Sequence, residues 1–329
     1  MNADHDRTET GLVNPARPPE PQPPLLPLKS FVGEKPPAPA WFAEALAVEP
    51  QHRHVNVDGV RIHYLQWGDA ARRGLLLVHG NAAHAMWWSF IAPYLARNYN
   101  VAAIDLSGMG DSGWRETYTM HGFAAEELAV MNDAGMFSVR KAPIVVAHSF
   151  GGYITILAGA LYGRYLGGTV IVDAPVVPPG GRGPQAQPHK PHRVYPTMAA
   201  ALARYRLVPA QKCDNLFLLD HVARHSLKAV EGGFSWKFDP RIWRDFSIGD
   251  MSARLKATQC RIAILRGEHS ALMPADVGRY MFELLGRAAP VVEIPDAGHH
   301  IMLDQPLALV AAVRALLADW EHSVSRRKI

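Results

Sequence analysis

A serine between two apolar runs carries the clearest chemical signal in this sequence. The run Ala142–Val146 predicts a buried strand, and the run Tyr153–Tyr162 predicts an apolar helix. Between them the chain reads Ala147-His148-Ser149-Phe150-Gly151-Gly152. Small residues allow a sharp turn from strand to helix, which exposes the serine oxygen near the free N–H groups of the helix N-terminus. Such a serine could attack a carbonyl carbon if a neighbouring base removed its proton.

The elements that must position this serine alternate along most of the chain. Apolar runs that are typical of buried strands occupy 74–78, 101–105, 169–173, 261–265 and 291–294. Helical patterns lie between or after them, at 86–98, 123–135, 153–162, 276–285 and 306–322. A hairpin that turns at Asp58-Gly59 is predicted ahead of the first of these runs. This alternation predicts an α/β fold with a doubly wound, mostly parallel sheet.

The alternation stops between residues 176 and 246. This stretch begins as Pro/Gly-rich coil, continues with helical patterns at 198–205 and 216–229, and ends in the aromatic run Phe234–Phe238. We interpret residues 176–246 as a helical lid, inserted between a first core part (41–175) and a second (247–329). Residues 1–40 are polar and contain ten prolines between Pro15 and Pro39. That composition predicts a disordered N-terminal arm.

Four motifs give the chain a resemblance to a known family. They are HGN at 79–81, DLSGMGDSG at 105–113, AHSFGG at 147–152 and AGHHIMLDQP at 297–306. In this order and spacing they resemble the α/β-hydrolase family, over roughly residues 52–322. The resemblance implies an eight-stranded sheet with a serine nucleophile at its centre. It does not name a substrate, since this fold hosts many chemistries.

The resemblance assigns roles to four residues. Ser149 matches the nucleophile, and His299, which follows Gly298, matches the catalytic base. His300 is the alternative base, but the Gly-His pair and the Asp-Gln-Pro that follows favour His299. The family's oxyanion hole uses two backbone N–H groups, which correspond here to Asn81 and Phe150.

The acid of the triad departs from the family pattern. Relatives usually read G-x-x-D after the strand at 261–265, whereas this chain reads Gly267-Glu268-His269-Ser270. A serine cannot stabilise an imidazolium as a carboxylate does. Asp173, at the end of the strand after the nucleophile helix, is the preferred acid. Glu268 and a dyad without an acid stay open.

Composition and charge narrow the class of protein. Two cysteines without a C-x-x-C pair fit a reducing compartment, and no apolar run is long enough to span a bilayer. We therefore expect a cytoplasmic protein that does not bind membranes.

The net charge of +4 is unevenly distributed along the chain, because residues 176–245 hold eleven Lys/Arg against five Asp/Glu. These cations are scattered, which argues against nucleic acid binding and suggests a lid that favours anionic small molecules. The oligomeric state stays open.

The sequence thus predicts a cofactor-independent serine hydrolase that cleaves an ester, a thioester or a lactone through an acyl-enzyme. Motifs for zinc or for a nucleotide phosphate are missing from it, so no metal or cofactor is expected. Three alternatives stay open: a carbon–carbon bond hydrolase acting on a dicarbonyl compound, a cofactor-free dioxygenase of the same fold, and a non-catalytic receptor of that fold.

Overall fold

The structure is a computed structural model, which describes residues 26–181 and 191–323. Within these ranges eight strands form one sheet, in the order β1-β2-β4-β3-β5-β6-β9-β10, and two further strands form a separate hairpin, β7-β8. The strands are β1 (Gln51–Val57), β2 (Val60–Trp67), β3 (Gly74–Val78), β4 (Asn100–Ile104), β5 (Ile144–His148), β6 (Gly168–Val172), β7 (Leu227–Val230), β8 (Gly233–Trp236), β9 (Ile262–Gly267) and β10 (Val291–Ile294).

The large sheet is mostly parallel, as the sequence predicts. Strands β4, β3, β5, β6, β9 and β10 pair in parallel, while β2 runs antiparallel to both β1 and β4. The predicted hairpin is present, with Val57 opposite Val60. Asp58 and Gly59 between them both have positive φ, which suits a tight two-residue turn.

Apolar side chains cover the sheet on both faces. In β3, Leu75 and Leu77 belong to one buried cluster, whereas Leu76 and Val78 belong to the other. Successive side chains of a strand point to opposite faces, so this division marks a central strand buried on both sides. It explains why the central strands read as continuous apolar runs.

Ten α-helices lie in the described ranges. They are α1 (Ala40–Leu46), α2 (Ala92–Ala96), α3 (Met120–Asp133), α4 (Phe150–Tyr162), α5 (Met198–Leu202), α6 (Leu216–His225), α7 (Met251–Ala257), α8 (Ala275–Leu284), α9 (Ile301–Asp304) and α10 (Pro306–His322). The helix predicted over 86–98 is wrong as a continuous element. A 3₁₀ turn at Ala85–Trp88 and the short α2 replace it. Pro93 stands in the first turn of α2, where its missing N–H costs nothing, but it cannot continue an earlier helix. None of the described helices is long and apolar enough to cross a membrane.

The stretch 176–246, which we call the insertion, is only partly helical. It contains α5 and α6, but the helix predicted to reach residue 229 ends at His225. The chain then forms the β7-β8 hairpin, because Gly232 and Gly233 take the positive φ angles that its turn needs. The helical pattern predicted over 216–229 is therefore wrong for residues 227–229, which belong to β7. Residues 182–190 lie outside the described part.

The N-terminal segment is ordered where the structure describes it. Residues 1–25 of the predicted disordered arm lie outside the described residues. From there on, Pro27–Phe31 forms a 3₁₀ turn, and Leu28 is buried in the core. Arg224 of α6 also donates a hydrogen bond to the carbonyl of Gly33. Leu28 belongs to the same buried cluster as Leu219 of α6, so this part of the segment packs against the insertion.

Candidate active site

Ser149 lies on a strained turn at the centre of the sheet. It joins the end of β5 to the start of α4 with φ 53° and ψ −119°, a conformation that is rare for a residue with a side chain. Its N–H donates to the carbonyl of Val172 on the adjacent strand at 2.9 Å. Ser149 is half-buried, whereas its neighbours His148 and Phe150 are buried. This is the geometry that the Ala-His-Ser-Phe-Gly-Gly motif predicts.

The two glycines after Phe150 let the turn pack closely. A Cβ at Gly151 would lie 2.5 Å from the carbonyl oxygen of His79, at the end of β3. A Cβ at Gly152 would lie 2.5 Å from the Cβ of Ala174. Both contacts are far shorter than atoms tolerate, so α4 can approach the carboxyl ends of β3 and β6 only with glycine at these positions.

Three side chains form a continuous hydrogen-bond chain at this turn. The Ser149 Oγ lies 3.0 Å from Nε2 of His299. On the other side of the ring, Nδ1 of His299 lies 2.8 Å from Oδ1 of Asp173. Asp173 is fully buried and His299 is 3% exposed. The structure thus brings together the three residues for which the sequence predicts catalytic roles.

The Asp173 carboxylate receives three hydrogen bonds. Besides His299, the hydroxyl of Ser270 donates to Oδ1 at 2.6 Å and the backbone N–H of Gly267 donates to Oδ2 at 2.8 Å. The Ser270 oxygen itself accepts from the N–H of Met273 at 3.1 Å, which leaves its proton for Asp173. These donors compensate a buried carboxylate for the water it has lost. Ser270, which stands where relatives usually carry the acid, therefore contacts the carboxylate that bonds His299.

Glu268, the other acid considered, has different partners. Its Oε2 accepts a hydrogen bond from the backbone N–H of Asp296 at 3.0 Å. The side chain of His269 lies 3.8 Å from the same oxygen, and both side chains are largely exposed. Asp173, not Glu268, is thus the carboxylate hydrogen-bonded to His299.

Two buried histidines flank the His299 ring. Nε2 of His148 donates to the carbonyl of His299 at 3.0 Å. Burial, together with the nearby His299, holds the pKa of His148 well below its usual range, so this ring is neutral. His300 packs against Trp87 with ring centroids 5.5 Å apart, and burial lowers its pKa as well. Since His299 is the one bonded to Ser149, the geometry agrees with the choice of His299 over His300.

The loop after β3 adjoins the nucleophile turn. Nδ1 of His79 donates to the carbonyl of Gly80 at 2.7 Å, and Nε2 accepts from the N–H of Leu106 at 3.1 Å. A Cβ at Gly80 would lie only 3.2 Å from the Cβ of Ser149. The backbone of Gly80 therefore lies against Ser149. Asn81, a predicted oxyanion donor, is the next residue along the chain.

Phe150, the other predicted donor, is the first residue of α4. The N–H groups of a first helical turn have no partner within the helix. Three aromatic rings surround the side chain of Phe150. The distances between ring centroids are 5.5 Å to Phe123 of α3, 5.1 Å to Trp243 and 5.7 Å to Phe246. Trp243 and Phe246 lie at the end of the insertion, so this part of the chain forms an apolar wall beside the turn.

Three clusters of potential metal ligands occur in the described residues, and none offers three free ligand atoms in a buried site. In the group His148, His299 and His300, both ring nitrogens of His299 are engaged by Ser149 and Asp173. In the second group, Asp105 already binds the His63 ring, while its oxygens also accept the N–H groups of Ala85 and Asp111. The third group, Glu268, His269 and Asp296, is exposed.

Sequence reasoning gave no role to several residues that support this site. Asp304 belongs to the motif AGHHIMLDQP at 297–306, and its carboxylate accepts the N–H of Gly298, beside His299, at 2.7 Å. The spacing of Asp304 from His299 in this motif is the sequence signal that could have indicated the contact. Ser270 was noted only as a missing acid. Gln211 lies in coil of the insertion and gave no signal, although it also contacts this loop.

Comparison with known proteins finds a match over most of the chain. The model of the alpha/beta hydrolase family matches residues 75–313. The esterase Rv0045c of Mycobacterium tuberculosis is 27% identical over 277 residues, which cover 80% of this chain and 88% of that protein. The N-formylmaleamate deformylase of Pseudomonas putida is 32% identical over 131 residues, covering 39% of this chain and 47% of that protein.

Solved structures share the same architecture. The thioesterase domain from the curacin biosynthetic pathway superposes with a TM-score of 0.67 at 20% identity, covering 80% of this chain and 99% of that domain. The crystal structure of the Mycobacterium tuberculosis esterase superposes with a TM-score of 0.62 at 23% identity, covering 85% and 97%. At such identities these likenesses show the fold alone.

Proposed function

Because the chain belongs to the alpha/beta hydrolase family and is an enzyme of that fold, we propose that it is a serine hydrolase that cleaves carboxylic esters, thioesters or lactones through an acyl-enzyme. The observation that carries the proposal is the hydrogen-bond chain from Ser149 through His299 to Asp173. The strained turn at Ser149 supports it, since strain at a surface-accessible nucleophile is typical of a functional site.

The proposed reaction begins with proton transfer from the Ser149 hydroxyl to Nε2 of His299. The serine oxygen bonds to the carbonyl carbon of the substrate, and the imidazolium that forms is stabilised by Asp173 through Nδ1–H. The oxyanion accepts hydrogen bonds from the backbone N–H groups of Asn81 and Phe150. His299 then returns the proton to the departing oxygen or sulfur as the carbonyl forms again.

The second half of the reaction releases the acyl group. Water gives a proton to Nε2 of His299 while its oxygen attacks the acyl carbon. Collapse of this second tetrahedral intermediate breaks the bond to Ser149 Oγ, which recovers the proton from His299. The products are a carboxylic acid and the free enzyme, so atoms and charges balance without a cofactor.

One relative supports an acyl-transfer substrate. The Mycobacterium tuberculosis protein, which this chain matches over 88% of that protein's length, is named an esterase. Phe123, Trp243 and Phe246 beside the turn suit an apolar group on one side of the scissile bond. A small apolar acyl ester is therefore the first substrate to test.

The test is a Ser149→Ala variant assayed with p-nitrophenyl butyrate and with a fluorophosphonate probe. We expect the wild type to turn over the ester and to be labelled at one serine. The variant should lose labelling and at least about 10³ of kcat, because no nucleophile is left. Ser138→Ala, a change at an exposed serine, is the matched control and should behave as the wild type. Full activity in Ser149→Ala would contradict the proposal.

The same preparation separates the alternatives. Carbon–carbon bond cleavage would appear as turnover of a dicarbonyl compound that exceeds ester turnover. A dioxygenase of this fold would consume oxygen, which an electrode detects. A receptor without catalysis would react with neither ester nor fluorophosphonate.

A further inference from the structure

The backbone on both sides of His299 is held by side chains. The N–H of Gly298 donates to Oδ2 of Asp304 at 2.7 Å, and the N–H of His300 donates to Oε1 of Gln211 at 3.0 Å. Since these two peptide groups flank His299, they set the position from which its ring reaches Ser149.

The two acceptors are also bonded to each other. Nε2 of Gln211 donates to the same Oδ2 of Asp304 at 2.8 Å. This contact fixes the orientation of the amide, since its nitrogen must face the carboxylate and its oxygen must face the His300 N–H. Burial raises the pKa of Asp304 to about 6, with a smaller contribution from the charge of Asp214, so at pH 7 the carboxylate is mostly ionised and accepts both bonds.

Gln211 sits directly on the histidine loop. A Cβ at Gly298 would lie 2.8 Å from Oε1 of Gln211, so only glycine leaves room for the amide. The glycine that precedes His299 therefore has a packing role in this chain: it admits a side chain from elsewhere in the fold.

That side chain comes from the insertion. Gln211 lies between α5 and α6, and Asn215, at the start of α6, makes a second connection. Nδ2 of Asn215 donates to the carbonyls of Leu303 and Asp304, at 2.8 Å and 3.0 Å. Two amide side chains of the insertion thus bind the segment that carries the histidine.

We propose that Gln211 is a positioning residue: together with Asp304 it holds the backbone on either side of His299, so that seating of the insertion sets the geometry of the catalytic base. The proposal rests on the proposed function, because it concerns the same histidine. It adds that the insertion acts on the chemical step as well as on substrate binding.

The first experiment measures kcat and KM of Gln211→Ala and Gln211→Met with p-nitrophenyl butyrate. Misplacement of a catalytic group by a fraction of an ångström lowers the rate of the chemical step steeply, so kcat should fall about tenfold or more, while KM changes less than about twofold. Lys212→Ala is the matched control, since this neighbour is 81% exposed and pairs only with Asp214 in the described residues. Gln211→Met keeps the side-chain volume if the alanine variant folds poorly.

The second experiment changes the shared acceptor. Oδ2 of Asp304 accepts both the Gly298 N–H and the Gln211 amide, so Asp304→Leu removes both bonds and should lower kcat about tenfold or more. Asp304→Asn keeps an amide oxygen that can accept both N–H groups, so its kcat should stay within about threefold of wild type. Retention of kcat in the conservative variant, with KM unchanged in both, is the result that a merely structural role would not give.

Three outcomes decide the proposal. A kcat of the folded Gln211→Ala or Gln211→Met variant within twofold of wild type would overturn it. A folded Asp304→Asn variant as slow as a folded Asp304→Leu variant would also overturn it. The fluorophosphonate reaction of the wild type keeps the two claims apart: a reactive Ser149 with unaffected Gln211 variants removes only this inference, whereas an unreactive Ser149 removes the proposed function and this inference with it.

Discussion

At the scale of single residues, Asp173 is the least expected member of the site. It ends β6 with a φ of 48°, and its backbone N–H donates to Leu265 of β9 at 2.8 Å. Its carboxylate is then enclosed by donors from Gly267, Ser270 and His299. Ser270 contributes a hydroxyl at the position where relatives carry the acid. Asp173 and the residue at the usual position of the acid, Ser270, are thus joined by one hydrogen bond.

This arrangement predicts unequal effects for the two acids. Asp173→Asn should preserve the fold but favour the wrong tautomer of His299, since an amide nitrogen can face Nδ1. In a serine protease triad the same change costs about 10⁴ in kcat. Glu268→Gln should cost less than about tenfold, because its carboxylate contacts the backbone of Asp296.

The measurement is kcat of both variants on one ester, with thermal unfolding as the check on folding. A large loss in Glu268→Gln beside a near-normal Asp173→Asn would reverse the assignment of the acid. Small losses in both would indicate a Ser149–His299 dyad.

At the scale of elements, two buried carboxyl groups on α3 face different partners. Glu126 pairs with Arg115 at 2.8 Å. Glu127 is fully buried against α4, where Oε1 accepts the hydroxyl of Thr155 at 2.8 Å, and Oε2 has no partner among the described residues. Burial raises the pKa of Glu127 to about 8, and the nearby Glu126 adds to the shift. The helix that begins at the nucleophile thus packs on a carboxyl group that is neutral at pH 7.

Relative to wild type, Glu127→Gln should therefore stabilise the fold increasingly as pH rises. The folded pKa lies above the unfolded value of 4.5, so the stability that protonated Glu127 contributes is fully present below pH 4.5 and is lost as pH rises through about 8. Each pKa unit corresponds to about 1.4 kcal/mol, so the free energy of unfolding of the variant relative to wild type should grow by a few kcal/mol over this window. Urea unfolding between about pH 5 and pH 8 measures it.

Glu44→Gln, a change at an exposed acid on α1, is the control and should show no such trend. A difference between Glu127→Gln and wild type that stays constant with pH would show that Glu127 is ionised in the folded protein.

Elements with strong local signals could be predicted from the sequence. The central strands follow from apolar runs such as Leu75–Val78, because burial on both faces leaves no room for polar residues. The insertion could not be predicted as well. Residues 227–230 continue the apolar pattern of α6, and only pairing with Gly233–Trp236 turns them into a strand. Strand pairing is a non-local contact that periodicity does not report.

The residues of the site also differ in whether the sequence could predict them. Ser149 and His299 stand in motifs whose spacing is readable, and Asp173 could be named because it ends a predicted strand. Gln211 and Asn215 could not be found, since an amide in coil carries no signal until the fold brings it to its partner. Ser270 stands out in the sequence as a missing acid, but its contact with Asp173 depends on the pairing of β6 with β9, which are far apart in the chain.

At the scale of the whole molecule, the positive charge of the insertion is partly neutralised. Arg224, Lys237 and Arg241 pair with Asp220, Asp111 and Asp239 at 2.6, 2.7 and 2.9 Å. Lys228 lies 4.5 Å from the ring centroid of Trp114. Arg182 and Lys190 lie outside the described residues. Asp220 and Asp239 are already among the five acids of the sequence count, so of these three pairs only that of Lys237 with Asp111, an acid outside the insertion, reduces its positive field further.

We still expect this field to favour anionic substrates to a measurable extent. Long-range attraction between charges is screened by salt, whereas contact with an apolar group is not. The kcat/KM for the p-nitrophenyl monoester of succinate should fall as sodium chloride rises from about 0.01 to 0.5 M. That for neutral p-nitrophenyl butyrate should stay constant. An equal change of kcat/KM with salt for the two esters would contradict charge steering.

The order of the site along the chain has a consequence for how this enzyme can diversify. Ser149 and Asp173 lie in one uninterrupted strand–helix–strand unit, β5-α4-β6, which is complete before the insertion begins. Chain length can therefore be gained or lost after residue 176 without altering the distance between Ser149 and Asp173. The segment that carries His299 is tied to the insertion, because Gln211 accepts the His300 N–H and Asn215 donates to the carbonyls of Leu303 and Asp304. Changes in the insertion can therefore alter substrate preference, as long as Gln211 and Asn215, or substitutes for them, still bond the histidine loop.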